Sequence, residues 1–128
     1  MRLRDVEDVS KLTPAMQQYA NLKKNNESSL LFFRMGDFYE LFFDDAIITA
    51  KELNITLTKR GKILNESIPM CGIPFHAANN YVPKLVKKGF EIAICEQTSS
   101  PEERSLKGIK GPLNREVTRI ITDRKSVV

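Results

Sequence analysis

Apolar residues recur at helical spacing in three stretches of the chain. The first begins at Thr13-Pro14, where a hydroxyl that can cap a helix precedes a proline at the first helical position, and extends to Asn25. The second opens at Asp44-Asp45, whose carboxylates suit the positive end of a helix dipole. Its predicted buried face consists of Ala46, Ile47, Ala50 and Leu53. The third covers residues 77–86 and ends at Gly89. Because Pro83 breaks the helical hydrogen bonding, this helix either begins near Asn80 or bends at the proline.

The segments between these helices predict six strands, at residues 29–35, 38–43, 54–58, 68–74, 91–96 and 116–122. The first is a buried apolar run that ends in a Gly36-Asp37 turn, so it forms a hairpin with the second. The strands at 54–58 and 91–96 alternate apolar and polar residues, as half-buried strands do. The segment at 68–74 contains two prolines, which favours an edge or irregular strand. Residues 59–67 and 103–112 are predicted loops.

Strands and helices alternate along the chain, a hairpin is also present, and there are no internal repeats. We therefore predict an α/β fold of the α+β type, with a mixed β-sheet flanked by helices in a single domain. A chain of 128 residues, 41% of them hydrophobic, is suited to one compact domain. We expect that domain to span residues 1–122 and residues 123–128 to form a C-terminal tail at its boundary.

The composition narrows the class of protein further. No apolar run approaches the roughly 18 residues of a membrane span, and the N-terminus is too charged for a signal peptide. We therefore expect a soluble, cytoplasmic protein without a membrane partner. The net charge of +4 is compatible with a polyanionic partner but does not select one. Cys71 and Cys95 have no metal-ligand spacing, and His76 is the single histidine, so we expect reduced thiols and no metal site.

No catalytic site is predicted. Gly61-Lys62 is superficially similar to a phosphate-binding loop, but the glycine five residues earlier is missing and Ile63 replaces the required serine or threonine. The acid-x-lysine pattern of nucleases occurs only in the predicted tail, at Asp123-Arg124-Lys125. A single histidine leaves no obvious base for hydrolase chemistry. We expect that this chain is not an enzyme.

The sequence Phe-Arg-Met-Gly-Asp-Phe-Tyr-Glu-Leu-Phe at residues 33–42 resembles the most distinctive segment of the N-terminal mismatch-recognition domain of the MutS family. Four further segments resemble that family in the same order, at residues 13–19, 57–61, 68–77 and 86–97. The resemblance runs from about residue 12 to residue 122. One such segment would be weak evidence, but five in register are strong evidence. The resemblance implies a role in recognising mispaired or unpaired bases in DNA.

In this family a Phe-x-Glu element reads the mismatch, and it falls here on Phe38 and Glu40. Without the resemblance, Phe38 would be interpreted as a core aromatic and Glu40 as an exposed strand charge. The resemblance implies instead that Phe38 wedges into the minor groove and that Glu40 probes the displaced base. Two positions apart on a strand, both side chains face the same side.

The resemblance also implies contacts to the DNA backbone or groove from Arg60, Lys59, Met70 and Gly72. Each has a structural alternative. The two basic residues would otherwise be solvated loop charges, Met70 would be a core residue, and Gly72 would simply permit a bend.

MutS proteins are large ATP-dependent dimers, so the resemblance implies further partners outside this chain. We expect double-stranded DNA with mismatches or small insertion loops, the rest of a MutS chain and, in the full-length form, a second identical subunit. No cofactor is expected here, since ATP and Mg²⁺ belong to another domain of the family, and a bacterial, nucleoid-associated location is implied. The alternative is a MutS-like structural or non-specific DNA-binding module that does not discriminate mismatches in isolation.

Overall fold

The computed structural model describes residues 9–63, 66–99 and 113–123, together with the single positions 102, 106 and 108. Most of the predicted loop at 103–112, and residues 124–128 of the predicted tail, lie outside the described residues. Residues 1–8 of the predicted domain also lie outside the described residues.

A six-stranded mixed sheet forms the centre of the fold, as predicted, and its strand order is β3-β4-β2-β1-β5-β6. β1 and β5 are parallel, while the other neighbouring pairs are antiparallel. The strands are β1 Ser29–Met35, β2 Phe38–Phe42, β3 Thr58–Ile63, β4 Glu66–Pro74, β5 Glu91–Gln97 and β6 Arg115–Ile121. The helices that pack on the sheet are α1 Pro14–Lys24, α2 Phe43–Leu53 and α3 Ala78–Lys87, with 3-10 turns at Val9–Lys11 and Phe75–Ala77.

The helices cover both faces of the sheet and create two hydrophobic clusters. One cluster lies on the α1 side and contains Met16, Tyr19, Leu31, Phe33 and Phe42. The other lies on the α2 and α3 side and includes the following residues: Phe32, Tyr39, Leu41, Ala46, Val82, Leu85 and Ile92. Neighbouring residues of one strand therefore contribute to opposite cores, as the two-residue period of a strand requires.

The middle of the sheet is buried on both faces, which corrects the prediction for β5. We expected alternating exposure over residues 91–96, but Ile92 to Cys95 are buried without interruption. β5 pairs in parallel with β1, whose residues Ser29 to Phe33 are also continuously buried. A parallel strand between two helical layers has no solvent face, so alternation disappears.

The segment between α2 and β4 differs most from the sequence-based expectation. Residues 55–57 are not a strand, and Leu57 is 46% exposed. The predicted loop at 59–67 instead contains most of β3 and the start of β4, which pair as a hairpin. β3 is polar because it lies at the edge of the sheet, where charged residues are favoured, so its apolar pattern is too weak to predict a strand.

β4 is an internal strand between β3 and β2, so of the two predicted alternatives, an edge or an irregular strand, the edge position is wrong and the irregularity is observed. Pro69 pairs with Lys59, beside a shift of register in β3 that ends at Lys62. Pro74 is the last residue of the strand. The prolines therefore fall at an irregularity and at a strand end, which are positions that tolerate a missing N–H group.

Two helices deviate in detail from the prediction. Ile47 is 40% exposed, whereas Asp45 and Thr49 are buried on the inner face of α2. Asp45 replaces the expected apolar residue because it hydrogen bonds inside the fold. α3 begins at Ala78 and contains Pro83 in its interior, so of the two predicted alternatives the start near Asn80 is wrong.

α3 ends as predicted at Gly89. Gly89 has a φ of 96°, its N–H donates to Val86 at 3.0 Å, and the N–H of Phe90 donates to Leu85 at 3.1 Å. These two bonds form a Schellman motif, in which a left-handed glycine turns the chain away from the helix. The turn leads directly into β5.

The Asp45 carboxylate joins α2 to α1 and β1. It accepts the Leu31 N–H at 3.0 Å, lies 3.2 Å from the Tyr19 hydroxyl and forms an ion pair with Lys23 at 3.0 Å. Burial raises the pKa of Asp45, and these three donors oppose the rise. Burial also raises the pKa of Tyr19 well above its ordinary value, so that its hydroxyl stays a neutral donor. The carboxylate is the acceptor of the buried Leu31 N–H, whereas the Tyr19 hydroxyl also lies 3.1 Å from the Phe42 carbonyl and Lys23 also donates to the Glu27 carbonyl at 3.2 Å.

We predict that Asp45→Ala lowers the free energy of unfolding by about 1–3 kcal/mol, because it leaves the buried Leu31 N–H without its acceptor and removes the anion paired with Lys23. Asp45→Asn keeps an acceptor oxygen and should cost less. Asp44→Ala, one residue earlier in the same helical turn, is the control and should change stability by less than about 1 kcal/mol. Urea unfolding of the three variants measures the difference; equal losses in all three would contradict a specific role for Asp45.

Candidate functional site

The site begins at the first residue of β2, where the hairpin turn ends. Phe38 is 44% exposed, whereas Tyr39 and Leu41 are buried in the cluster on the α2 and α3 side. Strand alternation therefore places Phe38 and Glu40 on the other face, together with Phe42, which is buried under α1. α1 covers the far end of this face, and Phe38 lies at the open end. The expectation that the two residues share one face is met.

Gly72 of β4 lies between the two side chains. It pairs with Glu40 across the sheet, and Pro74 pairs with Phe38. A β-carbon added at residue 72 would lie 3.6 Å from Phe38 Cδ1 and 4.0 Å from Glu40 Cγ, which are ordinary contacts. The glycine therefore leaves a shallow gap between Phe38 and Glu40 without being required by steric conflict.

Glu40 is held by an ion pair with Arg60 of β3, two strands away. The Arg60 guanidinium donates to Glu40 Oε1 at 3.0 Å. The Glu40 side chain is 14% exposed and that of Arg60 is 41% exposed, so the carboxylate is the covered partner and the guanidinium faces solvent. Burial raises the pKa of Glu40, while the charges of Arg60 and Arg115 oppose the rise. The carboxyl group is therefore easier to protonate than an exposed glutamate.

The structure brings Arg60 and Gly72 to the site but leaves Lys59 and Met70 at its margin. Lys59 is exposed on the edge strand and pairs with Pro69. Met70 is partly buried because it packs against the α1-side cluster, so part of its side chain belongs to the core. Its position on β4, two residues from Gly72, keeps it next to the open part of the face.

Arg115 is a further charged residue near Glu40, and sequence reasoning missed it. Its guanidinium donates to the Arg34 carbonyl at 2.7 Å and to Gln18 Oε1 at 2.6 Å, and it lies 4.6 Å from the centre of the Phe33 ring. Burial lowers the pKa of Arg115, and the charge of Glu40 opposes that change. No local pattern marks this residue, because β6 reaches β1 only through its pairing with β5.

Other chemistry is sparse in the described part of the chain. No group of three or more His, Cys, Asp or Glu residues within it could hold a metal ion. Cys71 and Cys95 are free and buried, and burial raises the pKa of each thiol to about 12. They are therefore unreactive thiols at neutral pH. None of the helices in these residues has the length and apolar character that crossing a membrane demands.

Comparison with known proteins confirms the resemblance. Residues 13–125 match the family model described as MutS domain I. Over 112 residues the chain is 55% identical to the DNA mismatch repair protein MutS of Bartonella quintana (strain Toulouse). The alignment covers 88% of this chain and 12% of that protein, so the chain spans a small part of the relative's length.

We predict that Glu40→Gln raises the melting temperature of the chain at pH 7. The pKa of Glu40 is higher in the folded chain than its ordinary value. Ionisation of Glu40 therefore destabilises the fold as the pH rises from the ordinary pKa to the folded pKa. The difference in melting temperature between Glu40→Gln and wild type should therefore reach its maximum above the folded pKa of Glu40. It should vanish below the ordinary pKa near 4.5. Thermal unfolding from pH 3.5 to pH 8 measures it, with Glu116→Gln on the exposed part of β6 as the control. A Glu40→Gln curve parallel to wild type at every pH would contradict this assignment.

Proposed function

The chain belongs to the MutS domain I family, and on that premise we propose that it recognises mispaired or unpaired bases in double-stranded DNA through Phe38 and Glu40. The observation that carries the proposal is an aromatic ring, 44% exposed at the end of a rigid hairpin, on the same strand face as a half-buried carboxylate. Phe38 is the one exposed aromatic residue of β2, since Tyr39 and Phe42 are both buried. Its placement suits contact with another molecule.

Phe38 acts in this proposal as a wedge in the minor groove. An apolar side chain inserted between base steps partly unstacks them and kinks the duplex, at a cost of a few kcal/mol per step. The cost is lowest where pairing is already defective. Stacking of one base on the ring returns about 1–3 kcal/mol. Mismatches are thus found through the ease of deforming the duplex, without reading its sequence.

Glu40 acts as a discriminator because its charge is repelled by phosphates. On matched DNA the carboxylate gains no partner and only weakens binding. At a displaced base it can accept a thymine imino N–H while ionised, or donate to a purine N7 when protonated. The raised pKa of Glu40 supports the second option, and neighbouring phosphates would raise that pKa further.

Arg60 has two roles in the proposed complex. In the free chain it pairs with Glu40 at 3.0 Å, but its side chain is 41% exposed and can turn to a phosphate. Such a shift supplies a charge-assisted backbone contact and at the same time removes the positive charge that favours the ionised form of Glu40. Lys59 contributes backbone attraction beside it. Gly72 and Met70 form the surface that the groove approaches between Phe38 and the core.

The remaining partners of the proposed function lie beyond these residues. We propose that the chain works with the rest of a MutS protein and, through it, with a second subunit. ATP and Mg²⁺ serve another part of the family's proteins, and this chain contributes DNA recognition and no catalysis. The alternative function is a non-specific DNA-binding or structural module, in which Phe38 and Glu40 do not discriminate.

We predict that Phe38→Ala reduces affinity for mismatched duplex by roughly 5- to 150-fold, the equivalent of losing one stacked base, and changes affinity for matched duplex little. The experiment measures both affinities in a full-length MutS protein that carries this chain. Ile47→Ala is the control, because Ile47 is also an exposed apolar residue but lies on α2 at the opposite face. A wild-type protein that binds both duplexes equally would favour the non-specific module, whereas a Phe38→Ala variant that retains the preference would favour a structural role for this chain.

We predict that Glu40→Gln in the same protein strengthens binding to matched duplex and so lowers the ratio of mismatched to matched affinity. The amide retains an acceptor for Arg60 and removes the repulsion from phosphates.

Arg60→Gln should weaken binding to both duplexes alike and reduce the salt dependence by about one phosphate contact. Titrations at two salt concentrations separate these effects; an unchanged ratio in Glu40→Gln means that Glu40 does not discriminate.

A further inference from the structure

The turn that precedes Phe38 is fixed through both of its carbonyl groups. The Arg34 side chain donates from Nε to the Gly36 carbonyl at 2.6 Å. The backbone N–H of Phe75 donates to the Asp37 carbonyl at 2.8 Å. Gly36 has a φ of 60°. Glycine adopts this conformation without strain, but it also adopts others as readily, so the residue alone does not fix the shape of the turn. The side chain of Arg34 and the segment after β4 therefore restrict this turn from outside.

Arg34 is itself held by partners on three sides. Its Nη1 lies 2.9 Å from Glu96 Oε1 of β5, and its guanidinium lies 4.1 Å from the centre of the Phe75 ring. The other carboxylate oxygen of Glu96 accepts the Tyr39 hydroxyl. Burial and the Glu96 carboxylate raise the pKa of Tyr39 to about 12, so that hydroxyl remains protonated. The result is a network that crosses β2, β1 and β5 at the end of the sheet.

This network lies on the opposite face of the sheet from Phe38. Arg34 pairs with Tyr39 across the hairpin, and Tyr39 belongs to the core on the α2 and α3 side. The Arg34 side chain is 20% exposed, two of its nitrogens are engaged, and Glu96 neutralises its charge. A guanidinium so occupied is a poor ligand for phosphate.

We propose that Arg34 is a positioning residue that fixes the Gly36-Asp37 turn and thereby the direction in which Phe38 is presented. The proposal rests on the wedge function proposed for Phe38. Insertion into DNA requires one orientation of the ring, and a turn that is already rigid does not lose conformational freedom on binding. The planar guanidinium is required because it must stack on Phe75 while it donates to both Gly36 and Glu96.

A double-mutant cycle tests the proposal in a full-length MutS protein that carries this chain. The variants are Arg34→Gln, Phe38→Ala and the combination, with mismatched and matched duplexes. Arg34→Gln should lower the ratio of mismatched to matched affinity about tenfold, within the range of coupling between neighbouring residues, and leave matched affinity unchanged. In the Phe38→Ala background it should have no further effect on the ratio.

Two additional variants separate positioning from charge. Arg34→Lys keeps the charge beside Glu96 but cannot stack and donate in the same way, so it should not restore the ratio. Arg119→Gln removes an exposed arginine from β6 and should leave the ratio unchanged. Hydrogen exchange of the Gly36 and Asp37 amides in the 128-residue chain should be faster in Arg34→Gln, while thermal unfolding checks that the variant folds.

Each other outcome overturns the proposal. An equal loss for both duplexes, with the salt dependence reduced by about one, would make Arg34 a phosphate contact. A loss of the same size with and without Phe38 would give Arg34 an independent structural role. Full rescue by Arg34→Lys would mean that charge alone suffices. If Phe38→Ala itself leaves the ratio unchanged, the wedge function is wrong, and the positioning role is wrong with it.

Discussion

β1 and β5 lie side by side in the middle of the sheet, and helices cover both of their faces. Their parallel pairing requires a long crossover connection, because Met35 ends β1 and Glu91 begins β5. The pairing places Leu31 and Phe33 beside Ala93 and Cys95 in the α1-side core. The β1–β5 pairing holds β1 in the middle of the sheet, and β2 is positioned through its own pairing with β1. The placement of Phe38 and the position of Glu96 beside Arg34 both depend on the β1–β5 pairing.

The site lies where the helical cover on one face ends, and it combines features that oppose maximal stability. Phe38 exposes apolar surface, and Glu40 keeps a carboxylate where burial disfavours its charge. Asp45 is also a buried carboxylate with a raised pKa, but three donors surround it and a helix covers it. The two carboxylates differ in the exposure of the cation with which each forms an ion pair. Lys23 is held in the fold, whereas Arg60 can leave Glu40 for another anion.

The sequence predicted what depends on local pattern. The helices, the β1–β2 hairpin and the Gly89 helix end follow from spacing and turn residues, and so does the shared strand face of Phe38 and Glu40, whose role in recognition stays a prediction. Edge strand β3 was missed because its residues are polar and its strand conformation comes from pairing with β4. Arg34, Glu96 and Arg115 were missed because their contacts join strands that are distant in sequence, and no local pattern encodes a register between them.

The polar edge of the sheet has a consequence for association between copies of the chain. Among the described residues β3 pairs with β4 alone, so its other side presents backbone N–H and C=O groups to which a further strand could add. Lys59 and Arg60 are consecutive on this short strand, and its register is irregular between Lys59 and Lys62. Like charges and a distorted backbone make such an edge a poor template for fibre growth. The cations proposed to attract nucleic acid thus also protect the chain against self-assembly.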